Sequence, residues 1–203
     1  MVIQDAAQAL NTKVVDDLRA RVRGEVLQPG DPGYDLARTV WNAMIDRRPA
    51  IIVRSRGVRD VMAAVNAARD NGLLLAVRGG GHNVAGNAVC DGGLMLDLSP
   101  MKGIRVDPFG RTARAEAGVL WGELDHETQA FGLATVGGTI SASGIAGLTL
   151  GGGVGWLTGK HGLVIDNLLS VDVVTADGEL HRASEHEHPD LFWAIRGAGA
   201  NVG

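Results

Sequence analysis

Apolar residues recur with a helical period at the start of the chain. Over residues 1–23 they return at every fourth position, which predicts an amphipathic helix with an apolar stripe of Leu10, Val14, Leu18 and Val22. A turn-rich break follows at 29–33, where two prolines and two glycines fall within five residues. A second helical stretch is predicted over 35–45. Residues 1–45 are therefore expected to form a helical lead-in to the rest of the chain.

The next segment has the order strand, helix, strand. A short apolar run at 50–53 predicts a strand, and apolar residues three and four apart over 58–68 predict a helix that ends near Gly72. The apolar run 73–77 predicts a second strand. A parallel pair joined by a crossover helix is the expected topology. A further apolar strand is predicted at 94–98.

The pattern changes after Pro100, and a subdomain boundary is predicted near residue 102. The first subdomain would then cover 46–102 and the second 103–203. The second is expected to be truncated, because its glycine-rich end would normally lead into further structure. It is predicted to contain two strands, a helix, a hairpin around an Asp-Gly turn and a final helix, at 104–106, 112–117, 120–131, 168–181 and 189–196. Mixed helices and small sheets place the chain in the α+β class.

Composition excludes several kinds of partner. The chain has 203 residues, 45% of them apolar, which is enough for one large or two small cores. A net charge of −4 and only 4% aromatic residues argue against a nucleic-acid groove. No apolar run approaches the ~18 residues of a membrane span, and no signal peptide is visible at the start. The single cysteine, Cys90, allows no intrachain disulfide and favours a cytoplasmic location.

Glycine is enriched and clustered. The chain has 30 glycines, about twice the ~7% average usage. Three of them, Gly79 to Gly81, directly follow the strand at 73–77 and Arg78. Consecutive glycines can present several backbone N–H groups to one anion, so this loop is a candidate phosphate site with Arg78 as a charge partner. His82 follows as the one nucleophilic side chain at the loop.

Two common nucleotide motifs are absent. The nearest approach to G-x-G-x-x-G is Gly153-Val154-Gly155, which has Thr158 in the last position. Gly159-Lys160-His161 is not a P-loop, because histidine replaces the serine or threonine and Val154 occupies the first glycine position. The glycine loops are therefore expected to hold a cofactor by another arrangement.

The motifs together resemble the FAD-linked oxidases of the vanillyl-alcohol oxidase superfamily, in their berberine-bridge-enzyme-like branch, which also holds bacterial 6-hydroxynicotine oxidases. The resemblance covers about residues 24–203. Its motifs occur in the family's order, at Arg78-Gly79-Gly80-Gly81-His82-Asn83, Leu96-Asp97-Leu98-Ser99, Val136-Gly137-Gly138-Thr139, residues 144–156, residues 160–167 and Arg196-Gly197-Ala198-Gly199-Ala200-Asn201.

This resemblance implies a two-subdomain, PCMH-type FAD-binding domain that clasps FAD between its parts. The loop at 78–83 would hold the pyrophosphate, and His82 would bond covalently to the 8α-methyl of the flavin, because a neutral imidazole is a competent nucleophile for that carbon in its electrophilic tautomer. The implied cofactor contacts are Arg78, Gly79, Gly80, Gly81, His82, Asn83, Gly86, Ser99, Val136, Gly137, Gly138, Gly144, Gly147, Gly152, Gly155, His161, Gly162 and Asn167.

The chain departs from the family members with two covalent links. Their second link comes from a cysteine shortly before the 144–147 element, where this chain has Ile140. Cys90 is far from that place, so a single link through His82 is expected. Leu148 stands where some plant members carry a histidine.

The activity implied is oxidation of a small organic substrate by hydride transfer to FAD, with O2 as the final acceptor. No catalytic residue is assigned, because the family's usual base is expected beyond residue 203. A dehydrogenase with another acceptor and a non-catalytic FAD-binding fragment are the alternatives. No metal, nucleic-acid or membrane partner is expected, and the oligomeric state is open.

Several motif residues have simpler structural interpretations. His82 could be a hydrogen-bonded turn residue, and Gly79 to Gly81 could form only a tight turn. The glycines over 144–155 could provide close packing of backbone against backbone, which is compatible with backbone facing a flavin. Asn167 and His161 could cap a turn. His181, His186 and His188 are more typical of a solvated acidic loop than of a metal site. The four tryptophans are expected to serve in packing rather than as stacking platforms: Trp41, Trp121, Trp156 and Trp193.

Overall fold

The computed structural model of the chain describes residues 2–203, with side chains described for 12–197, 199 and 201–203. The first half holds helices α1 (Val2–Arg21), α2 (Tyr34–Ala37) and α3 (Val58–Asp70). Its strands are β1 (Glu25–Leu27), β2 (Ile51–Arg54), β3 (Leu75–Arg78) and β4 (Leu94–Asp97). They form one sheet in the order β1-β2-β4-β3, in which β1 is antiparallel to β2 and both β2 and β3 are parallel to β4. The two predicted parallel strands thus share a sheet, but β4 lies between them.

Alternating residues of the central strands face opposite sides of this sheet, as the two-residue period requires. Ile51, Val53, Leu94 and Leu96 pack with α1 and α3, which contribute Val14, Val15, Leu18, Ala64, Val65 and Ala68. Ile52 and Met95 face the other side, where they meet Tyr34, Ala37 and Val89. The sheet is therefore covered on both faces. The predicted stripe of α1 is confirmed at Val14 and Leu18, whereas the Leu10 side chain lies outside the described side chains.

The predicted helix over 35–45 is wrong beyond its first turn. Helix α2 ends at Ala37, and residues 38–50 run irregularly across the sheet. Leu36 and Met44 are 79% and 90% exposed, so their helical spacing marks no buried face. Side-chain bonds to distant carbonyls hold the segment instead: Arg47 Nη1 donates to the carbonyls of Gly86 and Val89, both at 3.0 Å. Tertiary contacts here override local helix propensity.

The second half contains two antiparallel hairpins and several short helices. Strands β5 (Ile104–Asp107) and β6 (Thr112–Ala115) pair first, and β7 (Ser170–Val174) and β8 (Leu180–Ser184) pair around the predicted Asp177-Gly178 turn. Between the hairpins lie α4 (Trp121–Gln129), α5 (Ile145–Leu150), α6 (Thr158–His161) and a 3₁₀ turn at Val164–Asn167. Helix α7 (Pro189–Ala198) follows, with a non-helical kink at Arg196 and Gly197, and Gly199–Asn201 forms a last 3₁₀ turn. A core of Val119, Trp121, Leu124, Val136 and Val164 lies beneath these elements.

Candidate functional site

The glycine loop, residues 79–83, follows strand β3, and its backbone N–H groups are available to a ligand. Within the described chain, the N–H groups of residues 79–83 donate to no protein acceptor. Gly81 has a φ of 73°, in the left-handed region that glycine adopts without strain. A row of free N–H groups on a glycine-rich turn is an anion-binding arrangement. The donor set therefore fits a phosphate-bearing group.

The glycines of the loop approach the second half of the chain closely, backbone against backbone. A Cβ on Gly80 would lie 2.6 Å from Gly144 Cα, and a Cβ on Gly144 would lie 2.7 Å from Gly80 Cα. Both distances are too short for any side chain. Gly155 approaches Gly137 in the same manner, since an added Cβ would lie 2.8 Å from the Gly137 carbonyl carbon. The close-packing interpretation is thus confirmed at Gly144 and Gly155, whose partners are Gly80 and Gly137.

His82 is held between the two halves. Its Nε2 lies 3.1 Å from the carbonyl oxygen of Ala142, sixty residues away. A carbonyl only accepts hydrogen bonds, so Nε2 carries the proton and Nδ1 carries the lone pair. Nδ1 has no hydrogen-bond partner among the described residues. The half-buried ring therefore presents its nucleophilic nitrogen away from the backbone that anchors it.

An indole covers one face of this ring. The rings of Trp41 and His82 are stacked, with centroids 5.5 Å apart and planes 21° from parallel. The Trp41 side chain is 68% exposed and stacks on His82, so the prediction that it serves in packing rather than as a stacking platform is wrong. Trp156 and Trp193 are also exposed, at 85% and 75%, and only Trp121 of the four tryptophans is buried.

The segment that carries Trp41 is fastened to the glycine loop at three points. Arg78 Nη1 donates to the Thr39 carbonyl at 2.8 Å, and the Trp41 N–H donates to the Gly81 carbonyl at 3.1 Å. Asn42 Nδ2 donates to the Val84 carbonyl at 3.1 Å. Residues 39–42 form what we call the strap. The strap, rather than a helix, places the indole beside His82.

Arg78 has protein partners at every guanidinium nitrogen. Nε and Nη2 donate to the two carboxylate oxygens of Asp97 at 3.0 and 2.7 Å, and Nη1 donates to the Thr39 carbonyl of the strap. Ser99 donates to the same carboxylate from its N–H and its hydroxyl, at 2.9 and 3.0 Å. The side chains of Arg78 and Ser99 are thus committed to the end of the sheet. The geometry thus gives Arg78 a structural partner in Asp97, and its contact with a phosphate stays a prediction.

Asp97 is fully buried at the centre of this group. Burial by itself raises its pKa, but the hydrogen bond and charge of Arg78, together with the two Ser99 bonds, outweigh burial and hold the pKa below its ordinary value. Arg54 adds a third donor group at 3.2 Å. The carboxylate is therefore ionised and anchors the strand ends from which the loop departs.

The remaining motif residues divide into turn formers and open positions. Asn83 accepts from the Asn87 N–H, Gly86 packs against Ile45, and Asn167 donates to the carbonyls of His161 and Leu163, so these residues shape turns. Gly162 packs on Asp166, Gly138 on Trp121, and Val136 lies in the core. By contrast, a Cβ on Gly147 would meet no atom within 4 Å, and Gly152 is nearly as open. His161 is exposed.

The acidic segment that contains histidines, residues 177–188, makes the hydrogen bonds of a surface turn. Asp177 Oδ1 accepts from the Glu179 N–H at 3.1 Å and shapes the β7–β8 turn. Asp177, Glu179 and His181 bring ligand-type atoms within 4.8 Å of one another, and the two carboxylates are exposed. His188 lies against His181 edge to face, and its Nδ1 is 2.9 Å from the Arg182 carbonyl. The described contacts of this region are those of a surface hairpin.

Comparison with known proteins identifies the family. Residues 49–184 match the family described as FAD binding domain. The chain belongs to this FAD-binding family. (R)-6-hydroxynicotine oxidase of Paenarthrobacter nicotinovorans is 46% identical over 182 residues, which are 90% of this chain and 40% of the oxidase. The FAD-binding chain thus spans about two fifths of the length of the curated relatives it matches.

Solved structures agree with this assignment. The crystal structure of 6-hydroxy-D-nicotine oxidase from Arthrobacter nicotinovorans matches with a TM-score of 0.88 at 46% identity, over 90% of this chain and 40% of the other. Glucooligosaccharide oxidase from Acremonium strictum, described with a 6-S-cysteinyl, 8α-N1-histidyl FAD, matches with a TM-score of 0.85 at 36% identity, over 92% of this chain and 39% of its own. The predicted PCMH-type α+β fold and the branch of the superfamily are confirmed.

Sequence reasoning missed the two groups that surround His82. The Ala142 carbonyl lies sixty residues away and leaves no side-chain signal. Trp41 precedes the glycine loop by about forty residues inside an apparently helical pattern.

An additional finding concerns helix length: among residues 2–203, no helix is both long and apolar enough to cross a lipid bilayer.

Proposed function

We propose that this FAD-binding chain holds its flavin covalently through His82 in an FAD-dependent oxidase. The observation that carries the proposal is the arrangement of His82, with Nε2–H bound to the Ala142 carbonyl and Nδ1 unpartnered among the described residues. The free N–H groups of residues 79–83 support placing the FAD pyrophosphate at the same loop. Glucooligosaccharide oxidase, with its histidyl FAD, is a precedent among the relatives.

FAD supplies an isoalloxazine ring that accepts two electrons and an 8α-methyl carbon that can be made electrophilic. His82 would form a C–N bond from Nδ1 to that methyl carbon. Forming this bond would release one hydrogen from the methyl group and the Nε2 hydrogen of His82, and the flavin would take up both together with two electrons. O2 would serve as the oxidant that accepts them as hydrogen peroxide. Ala142, by fixing the proton on Nε2, keeps Nδ1 available for this bond.

A single link is proposed, because the one cysteine is in the wrong place. Cys90 is 3% exposed, and its Sγ faces the carbonyls of Leu74 and Leu94 behind the sheet. Burial raises the pKa of its thiol above the ordinary value, which further disfavours the reactive thiolate. Ile140, at the place of the family's second cysteine, offers no nucleophile.

For the whole protein we propose hydride transfer from a small organic substrate to FAD, followed by oxidation by O2. The relatives' names divide between a nicotine derivative and oligosaccharides, so amines and sugars are the two substrate classes to test first. The substrate-side base is proposed to come from residues outside this chain. A dehydrogenase using another acceptor and a non-catalytic FAD module are the competing functions. The cytoplasmic location stays a prediction.

The first experiment is acid denaturation of the purified full chain. After precipitation and washing, flavin fluorescence that stays with wild-type polypeptide and with Cys90→Ser, but not with His82→Ala, is the expected result. Flavin released from wild type would overturn the covalent link, and flavin retained by His82→Ala would overturn the single link through His82. For the whole protein, hydrogen peroxide formation with amine and sugar substrates separates the oxidase from a non-catalytic module.

A further inference from the structure

The stack between Trp41 and His82 is unusual because interior packing does not account for the position of the indole. Its side chain is 68% exposed, so interior packing does not explain its position. Its own backbone N–H is bound to Gly81, the residue immediately before His82. His82 is the only ring that Trp41 stacks on among the described residues. The strap therefore brings a large aromatic surface to one specific imidazole.

A hydrogen bond alone does not orient an imidazole. The bond from Nε2 to the Ala142 carbonyl fixes one atom of the His82 ring but leaves the ring free to turn about the N–H···O direction. A planar neighbour stacked at 21° removes that freedom, because rotation would lift the ring from the indole face. The two contacts come from opposite halves of the chain and constrain different motions.

We infer that Trp41 is a positioning residue that holds the His82 ring in one orientation, with the proton on Nε2 and the lone pair of Nδ1 presented to the flavin. The predicted effect of Trp41 on flavin attachment rests on the proposed covalent link, whereas its effect on the orientation of the His82 ring does not. In the FAD-free chain, Trp41 keeps the ring in a single tautomer. In the presence of FAD, it speeds formation of the bond from Nδ1 to the 8α-methyl carbon, with the transfer of hydrogens and electrons given above.

The first test measures attachment kinetics on the full chain. FAD is added to flavin-free protein, and samples taken over time are acid-denatured to count the flavin that stays with the polypeptide. Trp41→Ala is expected to slow attachment by about twofold to tenfold, the range for the loss of an aromatic pair. Trp41→Phe, which keeps a stacking ring, should restore most of the rate. Trp193→Ala removes an equally exposed tryptophan far from the loop in sequence and should match wild type.

A matched measurement separates positioning from simple FAD binding. In the His82→Ala background no bond to residue 82 can form, so the dissociation constant for FAD reports non-covalent binding only. Adding Trp41→Ala to this background is expected to change that constant less than about twofold, because the lost contact is to the missing imidazole. An equal loss of FAD affinity with and without His82 would show that Trp41 binds flavin directly, which would overturn the inference.

The second test needs no flavin. In the chain labelled with ¹⁵N-histidine, the His82 ring signals are identified by their loss in His82→Ala, and long-range ¹H–¹⁵N correlations distinguish a protonated from a bare nitrogen. At about pH 8.5, where histidines are ordinarily neutral, wild type and Trp41→Phe should show a protonated Nε2 and a bare Nδ1. Trp41→Ala should move both nitrogens toward the averaged value of exchanging tautomers.

The outcomes separate the inference from the proposed function. If wild type attaches no flavin but shows the single tautomer that Trp41→Ala loses, the covalent proposal fails and the positioning role stands. If attachment occurs and Trp41→Ala alters neither its rate nor the tautomer, the positioning role is wrong and the proposed function stands.

Discussion

Arg78 and Asp97 face each other as register partners on the adjacent parallel strands β3 and β4, joined by two N–H···O bonds of 3.0 and 2.7 Å. The carboxylate is fully buried, and the guanidinium side chain is 12% exposed. The pair lies one residue before the glycine loop begins. It therefore fixes the strand end from which the backbone donors of residues 79–83 are presented.

Removing Arg78 should be costly. Arg78→Ala leaves Asp97 with only Arg54 and Ser99, and loss of one partner of a buried pair typically costs about 3–5 kcal/mol of unfolding free energy. Arg78→Lys should recover only part of this, because an ammonium cannot make both parallel bonds. Urea unfolding measures the change. Arg19→Ala, which removes an exposed pair with Asp31, is the control and should cost about 0–1 kcal/mol. Equal losses for Arg78 and Arg19 would contradict this assignment.

The same carboxylate predicts an acid limit to stability. Its pKa in the folded chain is below the value of about 3.9 expected when unfolded, so its contribution is present above that value and is lost as pH falls through the folded pKa. Unfolding free energy should therefore drop below about pH 4. Asp97→Asn should be less stable at neutral pH and should show a shallower decline in acid. Parallel curves for the two proteins would argue against this role.

The two glycines that meet at the junction of the halves should tolerate alanine less well than a glycine that faces open space. Gly80→Ala and Gly144→Ala each place a Cβ against backbone, and overpacking of this kind costs about 1–3 kcal/mol. Gly147→Ala meets no atom within 4 Å and lies in helix α5, so it should leave the fold unharmed or slightly more stable.

FAD titration then tests whether Gly147 faces the cofactor. We expect Gly147→Ala to weaken FAD binding although its unfolding free energy is unchanged. Gly159→Ala, another substitution into open space, should alter neither property. Unchanged FAD affinity in Gly147→Ala would remove that residue from the proposed contacts.

Cys90 should be chemically inert in the folded chain. Its thiol is buried and its pKa is raised above the ordinary value, mainly by burial, so little reactive thiolate is available. Iodoacetamide should alkylate it only when the protein is unfolded by denaturant, as followed by mass spectrometry. Rapid labelling of the native chain would show that the sheet opens readily at this edge.

Local patterns predicted the elements whose signals are contained in a few residues. The apolar run at 50–53, the apolar spacing over 58–68 and the Asp177-Gly178 turn each led to an observed element with small boundary shifts. The glycine loop and His82 were also visible, because a run of glycines before a histidine is rare without a reason. These predictions needed no knowledge of distant contacts.

The sequence could not show what depends on long-range contacts. Leu36 and Met44 have helical spacing, yet the bonds of Arg47 and the strap to the 81–89 region hold that segment irregular. The sequence favours a packing role for Trp41 over a stacking role, because hydrophobicity alone does not reveal a stacking partner. Arg78 was expected at a phosphate because its register partner, Asp97, is identified only once strands β3 and β4 are paired.

The meeting of Gly80 with Gly144 limits how this domain can vary over evolution. Every other amino acid adds at least one carbon at each position, so no conservative replacement exists for either residue. Insertions that shift one loop against the other would separate the Ala142 carbonyl from His82. Adaptation to new substrates is therefore expected to leave this junction unchanged and to alter residues whose side chains face solvent around it.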